Sequence, residues 1–194
     1  MEVIWDINPE QDDDMRIQSE NATAIIIDIQ ERLFPHIHEH DTIAANTVVL
    51  IKGLKVLGIP VHVTQQYSKG LGRTIPAIEG LFTSFRHIEK TAFSCCDEPE
   101  MIKALEADQR QFIIIAGIES HVCVLQTVID LIEKGFMPVV IEDCVSSRKP
   151  KDKITAMKRI HYEGAIVSTC ESVLFELCRF SGTEEFKAIS KLVK

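Results

Sequence analysis

Gln111-Phe-Ile-Ile-Ile-Ala-Gly117-Ile-Glu-Ser-His-Val-Cys123-Val-Leu-Gln-Thr-Val-Ile-Asp-Leu-Ile-Glu-Lys-Gly135 changes its hydrophobic period midway. Phe112 to Ala116 is a short apolar run, rich in β-branched residues and closed by Gly117. Such a run predicts a strand buried on both faces, as at the centre of a parallel sheet. From Ser120 the period becomes helical: Val122, Leu125, Val128, Ile129 and Ile132 recur until Gly135 supplies a stop. A buried strand thus turns through a few residues into a helix whose first turn holds Cys123. Free backbone N–H groups and the positive end of the helix dipole favour an anion there, so the thiol pKa is expected to fall toward the reactive range. The same position equally suits a buried, inert thiol. Placement leaves both readings open until partners are found.

Working toward the N-terminus, Ala22 to Ile27 reads as another buried strand, ending on Asp28 and Gln30. In open parallel sheets ligand chemistry gathers beyond the carboxyl ends of strands, which makes Asp28 a candidate; a plain solvent-facing carboxylate is the alternative. Residues 31–40 form a connection with Phe34-Pro35 and histidines at 36, 38 and 40. His36 and His40 have the i, i+4 spacing of metal ligands, but Pro35 and the adjacent charges favour an exposed turn, and no metal is expected. Asp41 is the expected cap of a helix carrying Ile43, Ala44, Thr47, Val48, Ile51, Leu54 and Leu57 and stopped by Gly58. Ile59 to Thr64 is the next strand. The polar run Gln65 to Thr74 lacks both phosphate-loop glycine patterns and reads as a pocket wall. Arg86 to Ile88 is a short edge strand leading to Glu89-Lys90-Thr91, and a helix is expected over about residues 98–107.

Toward the C-terminus, Met137 to Ile141 is a strand with Glu142-Asp143-Cys144 at its end. Pro150 suits the opening of a helix that runs to about Tyr162. Gly164 to Ser168 is the last strand, and helices near 171–179 and 183–193 close the chain. Residues 1–21 read as an acidic arm with Asp12-Asp-Asp14 and the lone Trp5, which hints at packing on a neighbouring subunit. Residues 22–194 alternate strand and helix without repeat or linker. The expected fold is α/β: a single three-layer α/β/α domain around a doubly wound, six-stranded, mostly parallel, Rossmann-like sheet.

The totals restrict the function. With 194 residues, 45% hydrophobic and 26% charged, the chain suits one globular domain. A net charge of −8 and a pI near 5.4 would repel phosphate backbones and acidic lipids, so neither nucleic acid nor membrane is an expected partner. The N-terminus lacks a signal-peptide pattern. The six cysteines form no CxxC, which suits a reduced, cytoplasmic protein.

Asp28, Lys90 and Cys123 all fall at predicted strand ends, and parallel strands bring such ends to one edge. The set is chemically coherent. An ammonium stabilises a thiolate, and a partly desolvated carboxylate gains basicity toward a thiol. A cysteine–histidine pair is the rival, with His121, His87 or His62 as base; His121 is only two residues from Cys123, so the two would not face each other on a helix.

The segment Gly117-Ile-Glu-Ser-His-Val-Cys123-Val-Leu-Gln-Thr127 resembles the nucleophile segment of the isochorismatase-like cysteine hydrolases, which include nicotinamidases and N-carbamoylsarcosine amidase. Asp28-Ile-Gln30 resembles their strand-one Asp-x-Gln, and Lys90-Thr-Ala-Phe-Ser94 their lysine segment. The likeness spans about residues 22–180. Gln65 to Gly72 and Cys144 to Arg148 look most like a subgroup named only for its isochorismatase domain. The resemblance implies the isochorismatase-like hydrolase fold and a catalytic triad of Cys123 as nucleophile, Asp28 as base and Lys90 as electrostatic partner. It also implies a cis peptide at Ile118–Glu119 that turns the Glu119 N–H, with that of Cys123, toward a developing oxyanion. Gln30, Phe34, Tyr67, Ser120 and His121 become candidate substrate-binding residues. Nicotinamidases hold a metal through histidines after the second strand; Gln65, Gln66 and Tyr67 stand there instead, so no metal or cofactor is expected. True isochorismatases can lack the cysteine, so Cys123 points away from vinyl-ether cleavage. The expectation is a metal-independent, homo-oligomeric hydrolase acting through an acyl-enzyme on a small amide, carbamoyl or ester substrate. The alternatives are a nicotinamidase-type amidase and a non-catalytic binding or assembly protein that retains the fold.

Overall fold

The computed structural model describes residues 16–194; Trp5 and Asp12 to Asp14 lie outside the described residues. Six strands form one sheet: β1 (Ala22–Ile27), β2 (Val61–Gln66), β3 (Ile88–Lys90), β4 (Phe112–Ile118), β5 (Met137–Ser146) and β6 (Ile166–Ser168). Their order is β3-β2-β1-β4-β5-β6, and each neighbouring pair is parallel. The chain starts at the centre, builds outward to β3, then crosses back to place β4 on the other side of β1. That reversal between β1 and β4 opens a crevice at their carboxyl ends, the usual place for a ligand in such a sheet.

Helices α1 (His40–Val56), α2 (Ser68–Leu71), α3 (Pro76–Glu79), α4 (Pro99–Asp108), α5 (Leu125–Glu133), α6 (Pro150–Tyr162), α7 (Cys170–Cys178) and α8 (Glu184–Leu192) supply the connections and the closing segments. The two-residue pleat of β1 explains the three layers. Ala24 and Ile26 enter one core with Leu50, Ile51 and Leu54 of α1, Leu174 of α7 and Ile189 of α8. Ile25 and Ile27 enter the other with Met101 and Leu105 of α4, Val128 and Leu131 of α5 and Ile160 of α6. All residues of β1 and β4 are buried. Each fully buried isoleucine there contributes about 1.5–3 kcal/mol of transfer free energy. On the first face α1 and α7 pack so closely that a Cβ on Gly53 would stand 2.4 Å from a Leu174 methyl.

Several boundaries differ from expectation. The expected cap Asp41 is the second residue of α1; Glu39 precedes the helix in a left-handed conformation without a side-chain cap. β2 begins two residues later than expected and includes Gln65 and Gln66, because its pairing with β3 (Thr64 with Ile88, Gln66 with Lys90) extends the ladder toward the site. β3 itself lies at Ile88–Lys90 rather than Arg86 to Ile88. β5 does not stop at Ile141: its register against β4 shifts between Ile115 and Gly117, and it resumes with Val145 and Ser146 after a bulge that absorbs Glu142 to Cys144. β6 is confined to Ile166–Ser168. At the end of the expected arm Ile17 is buried, and its N–H donates to Glu176 Oε1 of α7 at 3.0 Å.

Candidate active site

Asp28 follows the last residue of β1, Lys90 ends β3, and Cys123 lies in a π-helical turn (Ser120–Val124) between β4 and α5. The sheet brings the three together. Lys90 Nζ lies 2.7 Å from Asp28 Oδ2 and 3.6 Å from Cys123 Sγ. Asp28 and Lys90 are each 1% exposed and Cys123 7%. Thr64 Oγ1 donates to Asp28 Oδ1 at 2.7 Å. Asp28 Oδ2, by contrast, has no well-directed hydrogen bond beyond the ion pair, and the Cys123 thiol is placed to donate to the carboxylate.

Two backbone features make this approach possible. Asp28 has φ 51°, a left-handed conformation that aspartate tolerates better than most residues. Gly117 has φ 129°, and a Cβ there would stand 2.1 Å from the Ile27 carbonyl oxygen. Only glycine lets the ends of β1 and β4 close on each other just before Asp28 and the cysteine turn. The Ile118–Glu119 peptide bond is cis. The Glu119 carboxylate turns away to accept from Arg148 N at 2.9 Å and from Arg148 Nε at 3.1 and 3.2 Å.

The electrostatics correct one expectation. The thiol of Cys123 is not lowered but pushed up to about 12, by burial first and by the Asp28 charge second, while Lys90 opposes both. The turn around Cys123 is shut off from water, and desolvation outweighs the helix terminus that the sequence suggested. Burial also raises the Asp28 carboxyl above the ordinary value, against the pull of Lys90 and Thr64. For Lys90 burial disfavours the charge, but Asp28 and Cys123 beside it prevail and hold the ammonium above the usual lysine value. The resting state is therefore a neutral thiol beside a carboxylate–ammonium pair. Such a site makes its thiolate only when Asp28 takes the proton.

The other candidates divide. Gln30 is fully buried and spends its amide on backbone: Nε2 donates to Gln66 O (3.1 Å) and Gly72 O (2.8 Å), and Oε1 accepts from Gln66 N (2.7 Å). It clasps the pocket wall rather than facing a ligand. Phe34 is buried in the core under α1, edge-on to His40. Tyr67 is 55% exposed beyond β2, and Ser120 Oγ is buried with no partner. His121 meets Ser147 Oγ at 2.9 Å and Asp152 Oδ2 at 3.9 Å. His62 is held by Asp108 and His87 by Glu89, so each rival base has another partner. His36 and His38 are exposed, His40 lies 3.0 Å from Asp41, and among the described residues no group of three or more His, Cys, Asp or Glu side chains is arranged to hold a metal. Two further residues emerge: Thr64, a polar residue in an apolar strand, and Gln66, whose Oε1 accepts from Lys90 Nζ at 2.5 Å. Thr64 could have been found from its place opposite Asp28 on the paired strand; Gln66 could not, because β2 was expected to end before it.

Comparisons with known proteins agree with this architecture. Isochorismatase domain-containing protein 2A of Mus musculus is 33% identical over 180 residues, covering 92% of this chain and 85% of its own length. The secreted isochorismatase effector Isc1 of Phytophthora sojae is 34% identical over 184 residues, covering 92% and 87%. The solved structure of the MAR1 ribonuclease of Caenorhabditis elegans superposes with a TM-score of 0.87 at 37% identity, covering 92% of each chain. One of these relatives is secreted, and no helix among the described residues is long and apolar enough to cross a membrane. The family model for the isochorismatase domain matches residues 22–172, and the chain belongs to the isochorismatase family of hydrolases.

Proposed function

We propose that the protein is a metal-independent cysteine hydrolase that cleaves a small amide, carbamoyl or ester substrate through a covalent acyl-enzyme on Cys123. The observation that carries this reading is the buried ammonium of Lys90, 2.7 Å from Asp28 and 3.6 Å from Cys123. Asp28 takes the thiol proton as Sγ attacks the substrate carbonyl. The backbone N–H groups of Glu119 and Cys123 receive the oxyanion, a contribution of about 2.7–4 kcal/mol per donor in acyl transfer. Collapse breaks the bond to the leaving group, which takes the proton from Asp28 and departs as amine, ammonia or alcohol. Asp28 then accepts a proton from water, whose oxygen attacks the thioester and releases the acid and the free thiol. Lys90 stays charged throughout and stabilises the thiolate.

Tyr67, Ser120 and His121 remain candidates for substrate contact. The Caenorhabditis elegans neighbour is named a ribonuclease, but a polyphosphate chain suits this protein poorly. Its net charge is −8, Lys90 is buried in an ion pair, and Arg148 and Arg73 are paired with Glu119 and Glu79. Sequence-independent nucleic-acid affinity comes from unneutralised cations. A panel of amides, carbamoyl compounds and esters screened for turnover, with Cys123→Ala as control, tests the proposal. Turnover that vanishes in the variant supports it, whereas turnover that survives in Cys123→Ala overturns it.

A further inference from the structure

We infer that Gln66 is a positioning residue that holds the Lys90 ammonium on Cys123, standing where metal-dependent relatives were expected to carry histidine. The inference rests on the reading of Lys90 given above and adds to it. Lys90 offers three N–H bonds but is surrounded by more acceptors than that: Asp28 Oδ2 at 2.7 Å, Gln66 Oε1 at 2.5 Å, Ala92 O and Phe93 O at 3.1 Å, and Cys123 Sγ at 3.6 Å. Where the ammonium sits among them is a balance, and the removal of one strong acceptor redistributes it. The sulfur is the farthest of the set and the weakest acceptor, so it has most to lose.

The chemistry forces the orientation of Gln66. Its Nε2 donates to Thr91 O at 2.8 Å while Oε1 accepts from Lys90; a flipped amide would set NH₂ against NH₃⁺ and carbonyl against carbonyl. Its backbone is fixed as well, since Gln66 N donates to Gln30 Oε1 at 2.7 Å and Gln66 O accepts from Gln30 Nε2. The buried Gln30 therefore anchors Gln66, Gln66 anchors Lys90, and Lys90 serves Cys123. Neutrality matters. A carboxylate at this position would add a second anion beside the thiol and oppose its ionisation, whereas an amide fixes the ammonium without that cost.

The test is the rate at which iodoacetamide alkylates Cys123, followed by mass spectrometry of the Cys123 peptide across the neutral to alkaline range. It needs no knowledge of the substrate. Gln66→Met is expected to slow alkylation about tenfold, equivalent to about one unit of thiol pKa. In a Lys90→Met background the same substitution should change the rate less than about twofold, because a residue that acts through another is silent when the other is gone. Gln66→Asn, too short to reach, should follow Gln66→Met, and the neutral double variant Asp28→Asn/Lys90→Met serves as the background if Lys90→Met does not fold. Equal slowing in both backgrounds, or no slowing with Lys90 present, overturns the inference. Should Lys90→Met alone leave the rate unchanged, the functional reading of Lys90 falls, and this inference with it.

Discussion

The two edges of the sheet each carry a carboxylate paired with a cation at 2.7 Å. At the carboxyl edge Asp28 meets Lys90; at the amino edge Asp108, the last residue of α4, meets Nε2 of His62 on β2. The pairs match in length but differ in what surrounds them. Asp108 Oδ2 also accepts from Thr23 Oγ1 at 2.7 Å, and the side chains of Asp108 and His62 keep 18% and 22% of their exposure. That pair is satisfied and partly solvated, and it ties α4 to β1 and β2. The Asp28–Lys90 pair is almost wholly excluded from water, leaves Oδ2 without a well-directed hydrogen bond, and has a thiol beside its ammonium. An ion pair becomes chemistry when burial raises the stakes and one valence is left for a nucleophile.

The largest contrast should come from replacing each carboxylate by its amide. Asp28→Asn keeps the shape and removes the base, so kcat should fall roughly 10²- to 10⁴-fold with folding intact. Asp108→Asn should leave kcat unchanged and instead lower stability by about 1–3 kcal/mol, since His62 and Thr23 lose a charged acceptor. Steady-state kinetics and urea denaturation on both variants read this directly. An equal loss of activity from both would erase the distinction.

Lys90→Met sharpens the comparison through pH. With the ammonium gone, Asp28 is left as a lone buried carboxylate, a loss of about 3–5 kcal/mol at neutral pH. Burial already raises the Asp28 pKa in the folded protein, and removal of Lys90 raises it further. A folded-state pKa above the unfolded value means that the contribution is intact in acid and is lost as pH rises through the folded value. The variant should thus approach wild-type stability in mild acid and fall behind it toward neutrality. Denaturation midpoints across that range check the sign.

A smaller effect is expected at Arg148. It is more than half exposed, and only its Nε bonds to Glu119 are lost in Arg148→Ala; the backbone N–H of residue 148 remains. Loosening Glu119, whose N–H is a proposed oxyanion donor, should lower kcat about three- to tenfold with KM little changed, in keeping with a solvent-screened contact. Smallest of all is chelation: EDTA should leave activity unchanged, and elemental analysis that found about one zinc per chain would revive the histidines at 36, 38 and 40.

Much of this was legible in the chain. The all-apolar runs of β1 and β4 fixed the sheet centre, and the strand-end positions of Asp28, Lys90 and Cys123 placed them on one edge. What escaped was set by contacts between distant segments. Gln66 belongs to β2 only because β3 pairs with it. Gln30 reads as a pocket residue until its amide is seen bound to the backbone of residues 66 and 72. The Cys123 pKa was expected to fall because the helix start is visible in sequence, whereas the desolvation that overrides it depends on the packing around Cys95, Ile27 and Val124.

The claim that the carboxyl-edge trio is the reactive centre can be put to one measurement. Mixing the protein with the activated ester p-nitrophenyl acetate and following p-nitrophenolate release, with intact-protein and peptide mass spectrometry on quenched samples, reads both stoichiometry and location. The account predicts a burst of about one equivalent per chain. The acetyl group should be found on Cys123, the burst should be absent in Cys123→Ala, and it should be slowed at least about a hundredfold in Asp28→Asn. A burst that persists in Cys123→Ala, or acetylation that falls on the more accessible Cys178 while Cys123 stays unmodified, would contradict it.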